Sequence, residues 1–250
     1  MANGQILTLG DMVCQARIFL DDEPEDTGFA STNLELITEA AEGQDETNLL
    51  WKDAELFLYA NEAVREVALR TMCLGLTTGV AGFNSFAITA AGEPWQALSD
   101  KILRVLRFTW DGNKLAYTSK NRLDECHDDW ETETGEPTHL VWDEATKQVR
   151  VYPRNTVDGT LLLEVRHYPR TIMTAKTDVP VIPEHMRMPA VYWVCHLAYL
   201  KNDADTKDPQ QSERFAALFA AEFGSKPSLR SIEFNRHALG RLSRGKKEFW

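Results

Sequence analysis

Apolar residues recur along the chain with two different periods, and the changes of period divide it into parts. Leu9, Met12, Val13, Ala16 and Leu20 keep the three-and-four spacing of one helix face. Thr8 and Asp11 ahead of them suit a capped first turn, so residues 9–21 read as a helix. The run Asp21-Asp22-Glu23-Pro24-Glu25-Asp26 ends it, by charge repulsion and by proline. Residues 27–49 carry two readings, loop throughout or loop with a short helix over 32–41. A second helix is expected over 52–72, where Leu56, Tyr59, Ala60, Ala63, Val64 and Val67 form one stripe that must be buried. Glu62/Arg65 and Glu66/Arg70 read as ion pairs on the wetter side. Leu58 and Leu69 fall on that side too. Scattered surface leucines are ordinary, but a contact with another subunit would also place them there.

After the second helix the pattern changes. Residues 75–92 are rich in small residues, Thr and Gly, as loops and edge strands are. Residues 101–108 and 115–117 flank Asp111-Gly112, a strong hairpin signal. Residues 139–142 and 148–152 flank a second turn, and 160–168 form a third strong strand. Residues 122–130 read as one or two helical turns between the hairpins. Together these predict an antiparallel β-module from about Thr77 to Thr171.

Helical spacing then returns over 189–202, with Pro189 placed in the first turn. Val191, Val194, Cys195 and Ala198 make one face, and Tyr192, Trp193 and Tyr199 extend the apolar surface nearly all round. A helix of that kind is buried on both sides, in its own domain or against a neighbour. Tyr192 and Trp193 therefore join Leu58 and Leu69 as subunit-interface candidates. A last helix is expected over 208–223, stopped by Gly224. The fold class expected is α+β: a four-helix core (near 9–21, 52–72, 189–202 and 208–223) carrying an inserted antiparallel β-module. The expected domains are 1–75 with 176–224 for the core and 76–175 for the insert, with 225–250 an extended basic tail.

Composition narrows the function class. A hydrophobic fraction of 43% and a charged fraction of 26% over 250 residues are those of a soluble globular protein. The longest apolar run, residues 190–200, is well short of the roughly 20 a membrane span needs. Met1-Ala2-Asn3-Gly4-Gln5 carries no signal-peptide pattern. Cys14, Cys73, Cys126 and Cys195 are widely spaced and form no CxxC, which points away from disulfides and zinc and towards a reducing cytoplasm as the place of synthesis. Charge is uneven. Residues 226–250 hold seven Lys/Arg and two Asp/Glu, a net of +5, against −11 for the whole chain, which leaves −16 on residues 1–225. An acidic body does not grip phosphates, though it lets DNA pass without sticking.

Candidate chemistry is sparse. Asp124, Glu125, Asp128, Asp129, Glu131 and Glu133 form the densest acidic patch, which reads as a solvated face. Its rival reading is a cell-wall hydrolase with Glu125, Asp128 or Glu131 as acid and base. Cys126-His127 lacks the further ligands a metal site needs. Thr77-Thr78-Gly79-Val80-Ala81-Gly82 lacks the lysine of a phosphate loop, and no serine sits in a nucleophile elbow. His196 reads as a packed histidine with one ring nitrogen satisfied. No catalytic, cofactor or metal residues are assigned. The tail differs: Arg230, Arg236, Arg241, Arg244, Lys246 and Lys247 alternate with Leu229, Ile232, Phe234, Leu239 and Leu242, and the chain ends Phe249-Trp250. Arg and aromatic residues are common interface anchors, so the tail reads as a docking segment. The rivals are a disordered solubilising end and a DNA-binding segment.

On these residues the chain resembles the head–tail adaptor (connector) proteins of tailed bacteriophages, including the tail-tubular "A" proteins of short-tailed phages. The likeness runs through Leu50-Trp51-Lys52-Asp53-Ala54-Glu55-Leu56 and Tyr59-x-Asn61-Glu62-Ala63-x-Arg65-Glu66. It continues through Leu123-Asp124, Trp130, Gly135-Glu136-Pro137-Thr138, Val149-Arg150-Val151-Tyr152-Pro153 and Tyr168-Pro169 to the last two helices, covering about residues 8–224. The resemblance implies a ring of twelve copies beneath the portal, in the neck of the virion, with a tail tube or nozzle protein below and DNA passing through a central channel. It also implies a C-terminal segment that reaches into the portal. That matches the docking reading of the tail, whose candidate contact residues are Arg230, Phe234, Arg236, Leu239, Arg241, Arg244, Phe249 and Trp250.

Overall fold

A computed structural model describes residues 8–22, 49–90, 92, 94–143, 146–203 and 206–228. The candidate helix at 32–41 and the tail residues from Leu229 onward lie outside the described residues. The fold is mixed α+β, and the chain divides into two compact units, Gly75–Tyr168 with Pro227 and Ser228 forming one and the chain through Leu74 together with Pro169–Lys226 the other.

The second of these is helical, with α1 (Leu9–Leu20), α2 (Asp53–Thr71), α4 (Glu184–Tyr199) and α5 (Pro209–Phe223) around one apolar cluster. Leu9, Met12 and Ala16 of α1, the Leu56/Ala60/Ala63/Val64/Val67 stripe of α2, Val191, Val194 and Cys195 of α4, and Phe215 and Phe219 of α5 meet there. Thr8 caps α1, its hydroxyl accepting from Asp11 N (3.2 Å) while Asp11 accepts from Thr8 N (2.7 Å). The next free amides of α1 are satisfied by the segment ahead of α4: Leu9 N donates to Asp178 O (2.7 Å) and Gly10 N to Lys176 O (2.8 Å). That approach is why residue 10 is glycine, since a Cβ there would stand 3.2 Å from the Lys176 oxygen.

Helix α4 begins five residues earlier than the sequence indicates, with Pro183 at its N-cap and Pro189 inside it rather than in its first turn. The spacing signal starts only at Ala190 because Glu184, His185 and Arg187 are polar. Pro189 removes only the amide that would pair with the His185 carbonyl. The apolar girdle of α4 is taken up within this unit: Tyr192 lies 5.8 Å from Phe19 and 6.3 Å from Phe215, and Trp193 lies 4.9 Å from Phe219, between ring centroids.

The other unit packs two sheets face to face. One runs β1 (Gly75–Leu76), β11 (Gly159–His167), β4 (Ile102–Trp110), β5 (Asn113–Lys114), with β2 (Ser85–Ile88) also pairing β11. The other runs β3 (Gln96–Ala97), β9 (Gln148–Tyr152), β8 (His139–Asp143), β6 (Ala116–Ser119). Leu161, Leu163 and Val165 of β11 alternate inward against Val105, Phe108 and Trp110 of β4 and Leu140, Trp142, Val149 and Val151 of the second sheet. Asp111 and Gly112 both have positive φ (45° and 87°), so the expected β4–β5 turn is present with the backbone such a two-residue loop requires.

The β-unit is not wholly antiparallel. β6 leaves the β4–β5 hairpin and pairs parallel with β8, and β7 (Thr134–Gly135) pairs parallel with β10 (Arg154–Asn155). A parallel pair needs a crossover of a dozen or more residues, and residues 120–138 supply it, including the short helix α3 (Lys120–Cys126).

Candidate functional site

Several of the motifs that carried the resemblance act as staples within their own unit. Arg17, at the last turn of α1 and 4% exposed, donates to Asp22 Oδ2 (2.8 Å), Asp53 Oδ1 (2.7 Å) and the Trp51 carbonyl (2.9 Å). Asp22 in turn accepts from Leu50 N (3.0 Å) and Trp51 N (3.3 Å). Lys176 closes the set on Asp53 Oδ2 at 2.9 Å. Burial pushes the Asp53 carboxyl pKa up, but the bonds from Lys176 and Arg17 outweigh it and hold the group below its ordinary value. The Trp51 ring, 2% exposed, packs edge-on to Tyr199, and its Nε1 donates to Ala198 O at 3.1 Å. Asn61 pins the segment ahead of α4 by donating to Met173 O (2.9 Å) and accepting from Met173 N (2.8 Å).

In the β-unit the acidic patch roofs an aromatic cluster. Trp130 (2% exposed) donates through Nε1 to Asp124 Oδ1 at 2.7 Å, and Tyr152 donates its hydroxyl to Glu133 Oε2 at 2.5 Å. The Glu133 bond is the main reason the Tyr152 hydroxyl pKa is raised. Trp95 and Tyr152 stand edge-on to Trp130, and the Arg150 guanidinium lies 5.1 Å over the Trp130 ring. Two of the six carboxylates are thus engaged by buried aromatics. Glu125, Asp128 and Glu131, the candidate acid and base, are exposed on the same skin. Among the described residues no His, Cys, Asp or Glu group is arranged to hold a metal.

The remaining candidates fall as follows. Leu58 stands 67% exposed on α2. Leu69 does not share its face, being 5% exposed. Nor is Glu66/Arg70 a wet pair: its side chains are 4% and 6% exposed, against 46% and 57% for Glu62/Arg65. The reason is that the last turn of α2 is covered. Arg70 donates Nε to Glu66 (2.9 Å) and Nη1 to the Gly224 carbonyl (2.6 Å), and its guanidinium lies 4.7 Å over Phe219 and 5.1 Å over Trp193. Lys226, just after α5, reaches Glu66 Oε2 at 3.2 Å. Tyr192 and Trp193 are half-buried against the core. Ser212 and His196 pair α5 with α4, Ser212 Oγ lying 2.8 Å from His196 Nδ1. Burial pushes the Cys195 thiol far up and the Cys14 thiol to about 11, so both are unreactive core groups.

One surface stands out that the sequence did not signal. Ile172, Val179 and Val181 are 72%, 57% and 51% exposed around a hollow of about 200 Å³ floored by Asn61, Val64 and Met173. Their apolar pattern lacks any period because the segment is neither helix nor strand.

Residues 31–241 match the family model described as SU10 adaptor protein, and the chain belongs to that family. No curated protein matches it. No described helix is long and apolar enough to cross a membrane.

Proposed function

We propose that this SU10-family adaptor is a structural part of a phage virion, forming a ring, of twelve copies on the resemblance, beneath the portal. It joins the capsid to the tail tube or nozzle and lets DNA pass through its centre. The family match over residues 31–241 carries the reading. Three features of the chain support it. A body with a net charge of −16 repels the phosphates of passing DNA. A ring closes through unlike surfaces on each subunit, and the exposed Leu58 and the Ile172/Val179/Val181 surface are apolar ground for such contacts. The basic, aromatic-ended tail is suited to docking on a partner, here the portal.

The role needs no catalysis, and two carboxylates of the acidic patch, Asp124 and Glu133, are engaged by Trp130 and Tyr152. Mixing the purified protein with portal rings and counting subunits in the particles tests the proposal. A closed ring of adaptor on the portal supports it, and a monomer that ignores the portal contradicts it. Cell-wall clearing by the purified protein that an Asp128→Asn or Glu131→Gln change abolishes would instead establish the hydrolase.

A further inference from the structure

We propose that Glu66 and Arg70 are positioning residues for the C-terminal segment: together they form a buried charged socket that fixes the direction in which the chain leaves α5. The proposal rests on the reading that this segment docks on the portal. Its geometry uses described residues alone. Arg70 holds the Gly224 carbonyl at 2.6 Å, at the point where α5 ends with a positive φ of 76°. Two residues on, Lys226 binds the second oxygen of Glu66 at 3.2 Å. One contact would let the chain swivel about its bond, whereas two contacts two residues apart set a direction.

The chemistry favours positioning over stability. Glu66 is 3% exposed and lies on α2 beside the buried Ala63 and Val67, where an apolar residue would serve the core at least as well. Replacing a buried ion pair by apolar groups of similar volume is often neutral or stabilising, so stability alone does not account for the pair. A buried guanidinium does what a methyl group cannot: it donates along fixed directions to a carboxylate and to a backbone carbonyl at once. The adjacent rings of Trp193 and Phe219 lie 5.1 and 4.7 Å from it, adding cation–π contacts to the two hydrogen bonds that orient the fork. Arg70 thereby links α2, α4, α5 and the root of the tail through a single side chain.

The test uses the full chain with Cys73 and Cys126 replaced by serine, since Cys14 and Cys195 are buried and take no label. Spin labels at Ala54→Cys on α2 and Ser228→Cys at the root report their distance distribution. A single narrow distance is expected with the socket intact. It should broaden in the Glu66→Gln/Arg70→Met double variant, and partly in Lys226→Ala, while the melting midpoint changes little. Portal capture by the double variant should weaken by about tenfold, equivalent to about 1.4 kcal/mol. A distribution as narrow in both variants as in the parent overturns the proposal. If the double variant does not fold, Lys226→Ala decides alone, because its side chain is 60% exposed. A chain truncated after Gly224 separates the two ideas: undiminished capture would defeat the docking reading, and the distance measurement would still judge the socket.

Discussion

Arg17 shows how much structure a single side chain organises here. Its guanidinium joins the end of α1 to the start of α2 through Asp22, Asp53 and the Trp51 carbonyl, all at 2.9 Å or closer. Removing one partner of a buried pair leaves the other charge uncompensated, so Arg17→Met should destabilise by about 3–5 kcal/mol in urea unfolding. Asp53 adds a pH dependence. Its folded pKa is depressed below the ordinary 3.8, so its stabilisation is complete above that value and is lost as pH falls through the lower folded value. Melting midpoints should therefore drop as pH falls below about 4, and less steeply in Asp53→Asn. Thiol labelling offers a simple check of burial. Cys126 should react in the native protein, and Cys14 and Cys195 only on unfolding. The importance of Trp51 and Asp53 was visible in the sequence as a motif. Their partner Arg17 was not, because an arginine at the end of an amphipathic helix looks like any solvated one. Glu66 and Arg70 misled in the same way: i,i+4 spacing signals an ion pair but not the chain that later covers it.

At the scale of elements, what was legible was what had a period or a turn signature. α1, α2 and α5 match the expected helices within two residues at each end, and the Asp111-Gly112 turn lies where the sequence put it. Gly112→Ala should cost about 1–2 kcal/mol in melting experiments, because the position has φ of 87° and the penalty comes from backbone alone. The early start of α4 was hidden by its polar first turn. The parallel pairing of β6 with β8 was hidden because local pattern says where strands are, not which strand they meet. β9 shows why alternation was hard to read: Val149 and Val151 face the core between the sheets while Arg150 and Tyr152 are buried on the other side, so Val149–Tyr152 are all buried.

For the whole molecule, family membership was legible through the order of degenerate motifs, several of which (Trp51 with Asp53, Asn61, Asp124 with Trp130, Arg150 with Tyr152) act as packing staples. The surfaces proposed for docking and ring formation were less so. Of the four interface candidates, Leu58 is exposed, Tyr192 and Trp193 are half-committed to the core and Leu69 is buried, since amphipathic spacing cannot tell a subunit contact from contact within a chain. Leu58→Asp should weaken ring formation while leaving the melting midpoint nearly unchanged, as exposed substitutions usually fall within about 0.5 kcal/mol. Analytical ultracentrifugation of portal–adaptor mixtures would show it. The charge division, −16 on the body and +5 on the tail, supports the proposal of attachment through the tail and DNA passage along the body. The most direct measurement mixes portal rings with the full chain and with a chain ending at Gly224, and counts adaptor subunits on each particle. The account predicts a full ring with the first and a severe loss with the second. A truncated chain that completes the ring with equal affinity would contradict it.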